Sequence, residues 1–310
     1  LMPIIAMTTV NRGSQPGDSH GAVYLLDLDG GRGAHVLDWT RPRIDWSGHG
    51  GGRGLRGLAV TKDQVYIAGA DELFRFTPGF ELQGVHTSPY LGRAQAVACF
   101  EGRVYVISAA YDAVLALDLA TGRFDWGLQI ADDEGGLRGM PFDPRSGLGP
   151  SAGNRLRLNS LHCDPRGLFI AGARTQGLLH FDGKRIVRLI TLPEGVHDAR
   201  PWRDGVLFND TEAEAVRFLT PEANRVFEVP RYPESALEAS SFEDKAVARL
   251  AFARGLCVLE AGVFVSGSSP LTVSAHDLDT MKTTLRINLS TDVRQSVHTL
   301  TPWPFDVGSD

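Results

Sequence analysis

A unit of about forty residues recurs along this chain, and that period constrains the fold more tightly than any other feature. Five segments superimpose: Leu55-Arg56-Gly57-Leu58-Ala59-Val60, Ala94-Gln95-Ala96-Val97-Ala98-Cys99, Leu158-Asn159-Ser160-Leu161-His162-Cys163, Val196-His197-Asp198-Ala199-Arg200-Pro201 and Ala253-Arg254-Gly255-Leu256-Cys257-Val258. Each leads through a turn into a second short strand, such as Arg103–Ser108 or Gly205–Asn209. A third follows, ending near Phe76, Asp118, Phe181, Phe218 or Asp277, and a fourth closes the unit, as in Arg123–Leu128. Four short strands per unit at this period are the signature of a β-propeller blade. The composition agrees. With 35 glycines and 17 prolines the chain favours turns over long helices.

A sixth copy is divided between the ends of the chain. Val297-His298-Thr299-Leu300-Thr301-Pro302 matches the opening strand, and the N-terminal region supplies the other three at Ile4–Val10, Ala22–Asp27 and His35–Trp39. The expectation is therefore an all-β, six-bladed β-propeller of four antiparallel strands per blade. Its ring is closed by the C-terminal strand joining the N-terminal blade, which removes two open sheet edges. As a single domain over 1–310, the blades fall at 1–50 with 296–304, 54–83, 93–130, 157–192, 195–230 and 252–290.

The spacing is uneven. Equivalent positions lie 39, 38 and 44 residues apart from Arg56 to Gln95, Asn159 to His197 and Arg254 to His298, but 64 apart from Gln95 to Asn159 and 57 from His197 to Arg254. Two connections therefore carry insertions, 131–156 and 231–251, the second with a short helix expected over Pro233–Ala248. In a four-stranded antiparallel blade every connection to the next blade lies on one face of the disk. Both insertions, and the first residues of all six inner strands, are thus expected at one channel mouth, as a lid or as plain surface loops.

Three stretches carry a family resemblance. They are Arg157-Leu158-Asn159-Ser160-Leu161, Val196-His197-Asp198-Ala199-Arg200-Pro201-Trp202, and Ala253-Arg254-Gly255-Leu256 with Phe264-Val265-Ser266-Gly267. Together they resemble the DUF4915 group of bacterial propeller proteins, whose members carry HLNGLA-like, PHSPRW-like and RGLAF…FVGLS-like stretches in that order. The likeness covers the C-terminal half well and the N-terminal half loosely. Arg157, Gln95 and His298 depart from the group's pattern. The resemblance implies the fold and register, and no reaction. More distantly, the layout is similar to six-bladed calcium-dependent lactonases, whose metal-bearing residues are not matched.

One position of the repeat is polar in all six copies: Arg56, Gln95, Asn159, His197, Arg254 and His298. Inner strands line the channel of a propeller, so these side chains are expected to converge at its mouth, the default place for a ligand. A water-filled channel lined by polar groups is the plainer alternative. Arg56 and Arg254 supply fixed positive charge suited to a carboxylate, sulfate or phosphate. His197 and His298, kept neutral by the neighbouring guanidinium, suit acid/base work or ligation of a divalent transition metal, with Asn159 or His162 as further donors. Gln95 and Asn159 orient the ligand. His162, and Arg53 in the Gly48–Gly54 loop with His49, are further ligand contacts. Asp198, next along a strand from His197, is expected on the opposite side.

Several classes are set aside. The net charge of -6 comes without a basic tract, which argues against nucleic acid as a partner. The glycine-rich loop lacks the Gly-Lys-Ser/Thr ending of a P-loop, no Gly-x-Ser-x-Gly is present, and the ring offers none of the carboxylates calcium needs. Cys99, Cys163 and Cys257 show no CxxC spacing, which favours a reducing compartment. Neither a signal peptide nor an apolar span is read, so a cytoplasmic protein without membrane association is expected. The function expected is an enzyme of isomerase, lyase or hydrolase type acting on a small anionic molecule. The alternative is a non-catalytic ligand- or protein-binding propeller module.

Overall fold

The computed structural model describes residues 3–40, 54–238, 249–260 and 262–307. Their strands form six antiparallel sheets. In chain order these strands are β1 (Ile4–Asn11), β2 (Ala22–Asp27), β3 (Arg32–Asp38), β4 (Leu55–Val60), β5 (Val65–Gly69), β6 (Glu72–Phe76), β7 (Leu82–His86), β8 (Ala94–Phe100), β9 (Arg103–Ser108), β10 (Ala113–Asp118), β11 (Arg123–Asp133) and β12 (Gly136–Phe142). The second half holds β13 (Leu158–Asp164), β14 (Gly167–Gly172), β15 (Gly177–Phe181), β16 (Ile186–Thr191), β17 (Val196–Trp202), β18 (Gly205–Asp210), β19 (Ala215–Leu219), β20 (Asn224–Glu228), β21 (Leu256–Val258), β22 (Val263–Ser268), β23 (Thr272–Asp277), β24 (Lys282–Asn288) and β25 (Gln295–Pro302). The sheets run β25-β1-β2-β3, β4-β5-β6-β7, β8-β9-β10-β11-β12, β13-β14-β15-β16, β17-β18-β19-β20 and β21-β22-β23-β24. This is a six-bladed propeller. β25 lies antiparallel on β1, with Ile5 opposite Pro302 and Asn11 opposite Gln295, so the last strand closes the first blade.

The core lies between the blades. One cluster joins Met7 and Leu26 of the first blade to Val265 and Val273 of the sixth. Another joins Val23 and Trp39 to Ile67 and Phe74 of the second. The remaining four fill the other junctions in the same way. A blade is too thin to bury both faces alone, so each face is covered by the next blade round the ring. Full burial of a Leu, Ile or Phe contributes about 1.5–3 kcal/mol. The outer strands alternate less strictly and leave Leu82, Val85, Val187, Leu189 and Val226 exposed.

The insertion 131–156 departs from expectation. Its first part is not a mouth loop. β11 runs on to Asp133, turns, and returns as β12, a fifth strand on the outer edge of the third blade. There it meets the fourth blade, where Asp132 pairs with Arg188 and Gly139 packs on Ile186. Only the returning segment reaches the mouth face, held by the Asp112 carboxylate, which accepts the N–H groups of Arg155 (2.7 Å) and Leu156 (2.9 Å). In 231–251 the described residues hold a 3-10 turn over Glu234–Ala236 instead of the start of a helix, and 239–248 lie outside the described residues.

Five of the six inner strands carry a β-bulge at one level. Pairing skips Arg56 and Gly57 in β4, Gln95 and Ala96 in β8, Asn159 in β13, Asp198 and Ala199 in β17, and His298 in β25. In the sixth blade regular pairing starts just after Gly255, which has φ 87°. The bulges bring the inner strands close together. A Cβ on Gly57 would stand 2.3 Å from the Gln95 carbonyl oxygen of the next blade.

Candidate functional site

The bulges decide which side chains share the channel. The first residues that the bulges leave unpaired form a row of Arg56, Gln95, Asn159, Asp198 and His298, with Gly255 at the matching point of the sixth blade. His197 and Arg254 sit one residue before that row. Both nevertheless line the mouth cavity with Gln95 and Asn159, whereas Asp198 does not. Asp198 adopts φ 54° and is not turned away from the channel. Its Oδ2 accepts the Gly255 N–H (2.7 Å) and the Asn209 amide (3.2 Å). Burial pushes its carboxyl above the ordinary range, and the Arg254 charge works against that shift.

Gln95 and Arg254 come from opposite blades, and they meet. Arg254 Nη2 donates to Gln95 Oε1 across the channel at 2.7 Å. His298 Nε2 lies 3.2 Å from the same oxygen. Because that oxygen already accepts from a guanidinium, His298 Nε2 must carry its proton, and Nδ1 accepts from Thr299 Oγ1 at 3.0 Å. Both ring nitrogens of His298 are thus engaged, and the residue is 2% exposed. Burial first, then the charges of Arg254 and Arg56, holds its pKa well below the usual histidine value. The expected acid/base or metal role of His298 finds no free nitrogen; it forms the floor of the site.

His197 is arranged differently. Its Nδ1 faces the Gly195 carbonyl (3.0 Å) and Thr211 Oγ1 (2.9 Å). The Thr211 hydroxyl spends its proton on the Ala253 carbonyl (2.8 Å), so both neighbours of Nδ1 are acceptors. Nδ1 therefore carries the hydrogen, and the lone pair sits on Nε2. Burial, followed by the Arg254 charge, keeps the imidazole neutral. Phe252 stands against the ring edge-on, with centroids 5.2 Å apart.

Above this floor opens a cavity of about 620 Å³, whose lining includes Arg12, Arg254, His197 and Phe252. Arg12 lies over the Phe252 ring, 4.7 Å from its centroid, and donates from Nε to Ser296 Oγ. Arg56 is buried and its guanidinium has no hydrogen-bond partner among the described residues. Desolvation, then the charges of Arg254, Arg12 and Arg93, pulls its pKa down to about 9. Arg254 is lowered to about 10, with burial as the main cause. The Nε atoms of Arg56 and Arg254 are both buried without an acceptor. Asn159 donates from Nδ2 to the Val196 carbonyl (3.0 Å), tying two blades together, while its Oδ1 is buried without a donor.

The other expected contacts separate from this group. His162 lies in a second cavity, of about 280 Å³, toward the far ends of the inner strands. It shares that cavity with Cys99, Cys163, Cys257 and Arg200. It lies 3.5 Å from Asp164, and burial with the Arg200 charge lowers its pKa to about 4. His162 lies three residues beyond Asn159 along β13, which carries it down the channel from the mouth. Arg53 and His49 fall outside the described residues. Repeat alignment missed Arg12, Arg93, Arg157, Arg174 and Phe252, all of which line the mouth. One signal was present: Arg93 and Arg157 each directly precede an inner strand.

The donor set does not fit a metal. Among the described residues no three His, Cys, Asp or Glu side chains are grouped to hold one. His298 has no free nitrogen, and the guanidinium charges repel a cation.

No protein family model matches the chain, and no curated protein matches it. Solved structures do. One, described as the crystal structure of a nidogen/laminin complex, is similar over 96% of this chain and 97% of its own, with TM-score 0.58 and 12% identity. A protein of unknown function from Bacteroides caccae is similar over 97% and 98%, with TM-score 0.56 and 13% identity. Apo AztD from Citrobacter koseri is similar over 95% and 84%, with TM-score 0.50 and 9% identity. At these identities the likeness carries the propeller fold alone.

Proposed function

We propose that the channel mouth binds a small anionic molecule and that His197 Nε2 accepts a proton from it. The observation that carries this reading is the pair of guanidiniums of Arg56 and Arg254, whose buried Nε atoms find no acceptor. A buried donor left unpaired costs about 1–3 kcal/mol, and clustered like charges add to that cost. Asp198 is the carboxylate that acts on Arg254, while Arg12 and Arg56 share the same region. A bound carboxylate, sulfate or phosphate would supply the acceptors and offset the charge. The lone pair on His197 Nε2 then serves proton transfer, as in isomerisation, elimination or hydrolysis. The resemblance to the DUF4915 group belongs to the same proposal and adds no reaction to it. A purely binding role is the second reading, favoured by the engagement of both His298 nitrogens, which leaves a single proton-transfer group.

Calorimetric titration with inorganic phosphate tests the anion site. The native chain is expected to bind, and Arg56→Gln to lose about tenfold or more in affinity while keeping its melting temperature. Absence of phosphate, sulfate and carboxylate binding to the native chain would sink the reading. Proton transfer is tested on any anion that is turned over: His197→Gln should abolish turnover and keep the affinity.

A further inference from the structure

We infer that the ligand of this mouth is an elongated molecule with two separate anionic groups, an inference that rests on the anion reading above. Away from the mouth many arginines meet a carboxylate, although Arg75 and Arg200 each keep a buried Nε without an acceptor. Arg103 meets Asp125, Arg166 meets Asp164 and Arg203 meets Asp279 at 2.6 Å, and Arg294 meets Asp292 at 2.7 Å. What distinguishes the mouth is that it gathers two groups of arginines without an ion pair, at two depths.

The inner tier is Arg12 and Arg254, half-buried in the cavity lining, with Arg56 buried within charge range of both. The outer tier is Arg93, Arg157 and Arg174, all exposed and all lining the same cavity. Among the described residues none of these three has a carboxylate within ion-pair distance. Of the two glutamates in the lining, Glu212 pairs with Arg249 at 2.9 Å, and Glu194, 3.5 Å from the Gln176 amide, stands beyond ion-pair distance of all three. With the Asn154 amide oriented to satisfy both of its ends, the Arg93 guanidinium donates to its neutral oxygen.

A single carboxylate or phosphate would satisfy the inner tier and leave the outer one facing empty space. The cavity, at about 620 Å³, lies in the range that encloses drug-sized organic ligands. Phe252 lines the same cavity and offers an apolar surface to a carbon skeleton between the two charges. The combination fits an organic dianion whose first group enters the inner arginines and whose second stops at the exposed ones.

The test compares alkylphosphonates with ω-phosphonoalkanoates of three to six carbons, titrated calorimetrically into the native chain and into an Arg157→Gln/Arg174→Gln double variant. The added carboxylate is expected to tighten binding about tenfold at the best length. The double variant should lose that gain and bind the plain alkylphosphonate as the native chain does. If the carboxylate brings no gain at any length, or the gain survives in the double variant, the two-group inference is overturned while the anion site stands. If the native chain binds neither series, both fall together.

Discussion

At Asp198 the backbone enters the left-handed region, and that one torsion lays a carboxylate beside Arg254 instead of on the outer side of the strand. The charge balance of the inner site turns on this residue. Asp198→Asn keeps the side-chain shape, and asparagine tolerates the same backbone conformation. Its amide oxygen can still accept the Gly255 N–H, so the substitution chiefly removes the negative charge. Phosphate affinity is expected to rise severalfold, and stability to fall by about 1–2 kcal/mol, in the usual range for disturbing a buried polar network. Calorimetry and urea unfolding measure the two effects. Weaker phosphate binding in this variant would show that Asp198 does not oppose the ligand. His197 and His298 make the same point about residues: identical side chains, one with a free lone pair and one with none, separated only by their hydrogen-bond partners.

The inner strand is the element that does most in this fold, since it carries the bulge, the floor and the rim together. β25 has a second task because it closes the ring. Its partner β1 is buried from Ile5 to Val10, so losing β25 would bare both an apolar strand and its unpaired backbone groups. A chain ending at Asn288 is therefore expected to lose its cooperative melting transition and to run as larger species on size exclusion. A monomer with a sharp transition would contradict the role given to β25. β12 shows the complementary device, an extra strand that covers the outer edge of one blade and ties it to the next.

Across the whole molecule, acidity should act through buried histidines. Burial lowers His197 and His298 well below 6.5, and His162 and His276 to about 4. Each is neutral when folded and takes up a proton near pH 6.5 when unfolded. Their contribution is thus complete above that pH and is lost as pH falls from about 6.5 toward 4, at about 1.4 kcal/mol per unit for each histidine. Asp198 and Asp112 act in the opposite sense, since burial raises both above 3.8, but they do so at the acid end of the window. Urea unfolding at pH 7.5, 6 and 5 should show a clear loss of stability on acidification. A flat profile would mean that these imidazoles are not held neutral.

The fold was legible in the chain because its signals are local: strand alternation, turn spacing and a period that returns, including the copy divided between Ile4–Trp39 and Val297–Pro302. The identity of most inner residues, Arg56, Gln95, Asn159, Arg254, His197 and His298, followed from that period. What they do depended on distances between blades, which no local pattern records. A bulge brought the Asp198 carboxylate within range of Arg254, and three residues of strand beyond Asn159 put His162 in the far cavity. Whether an arginine is paired or waiting for an anion is likewise a property of the assembled ring, because the candidate carboxylates arrive from other blades.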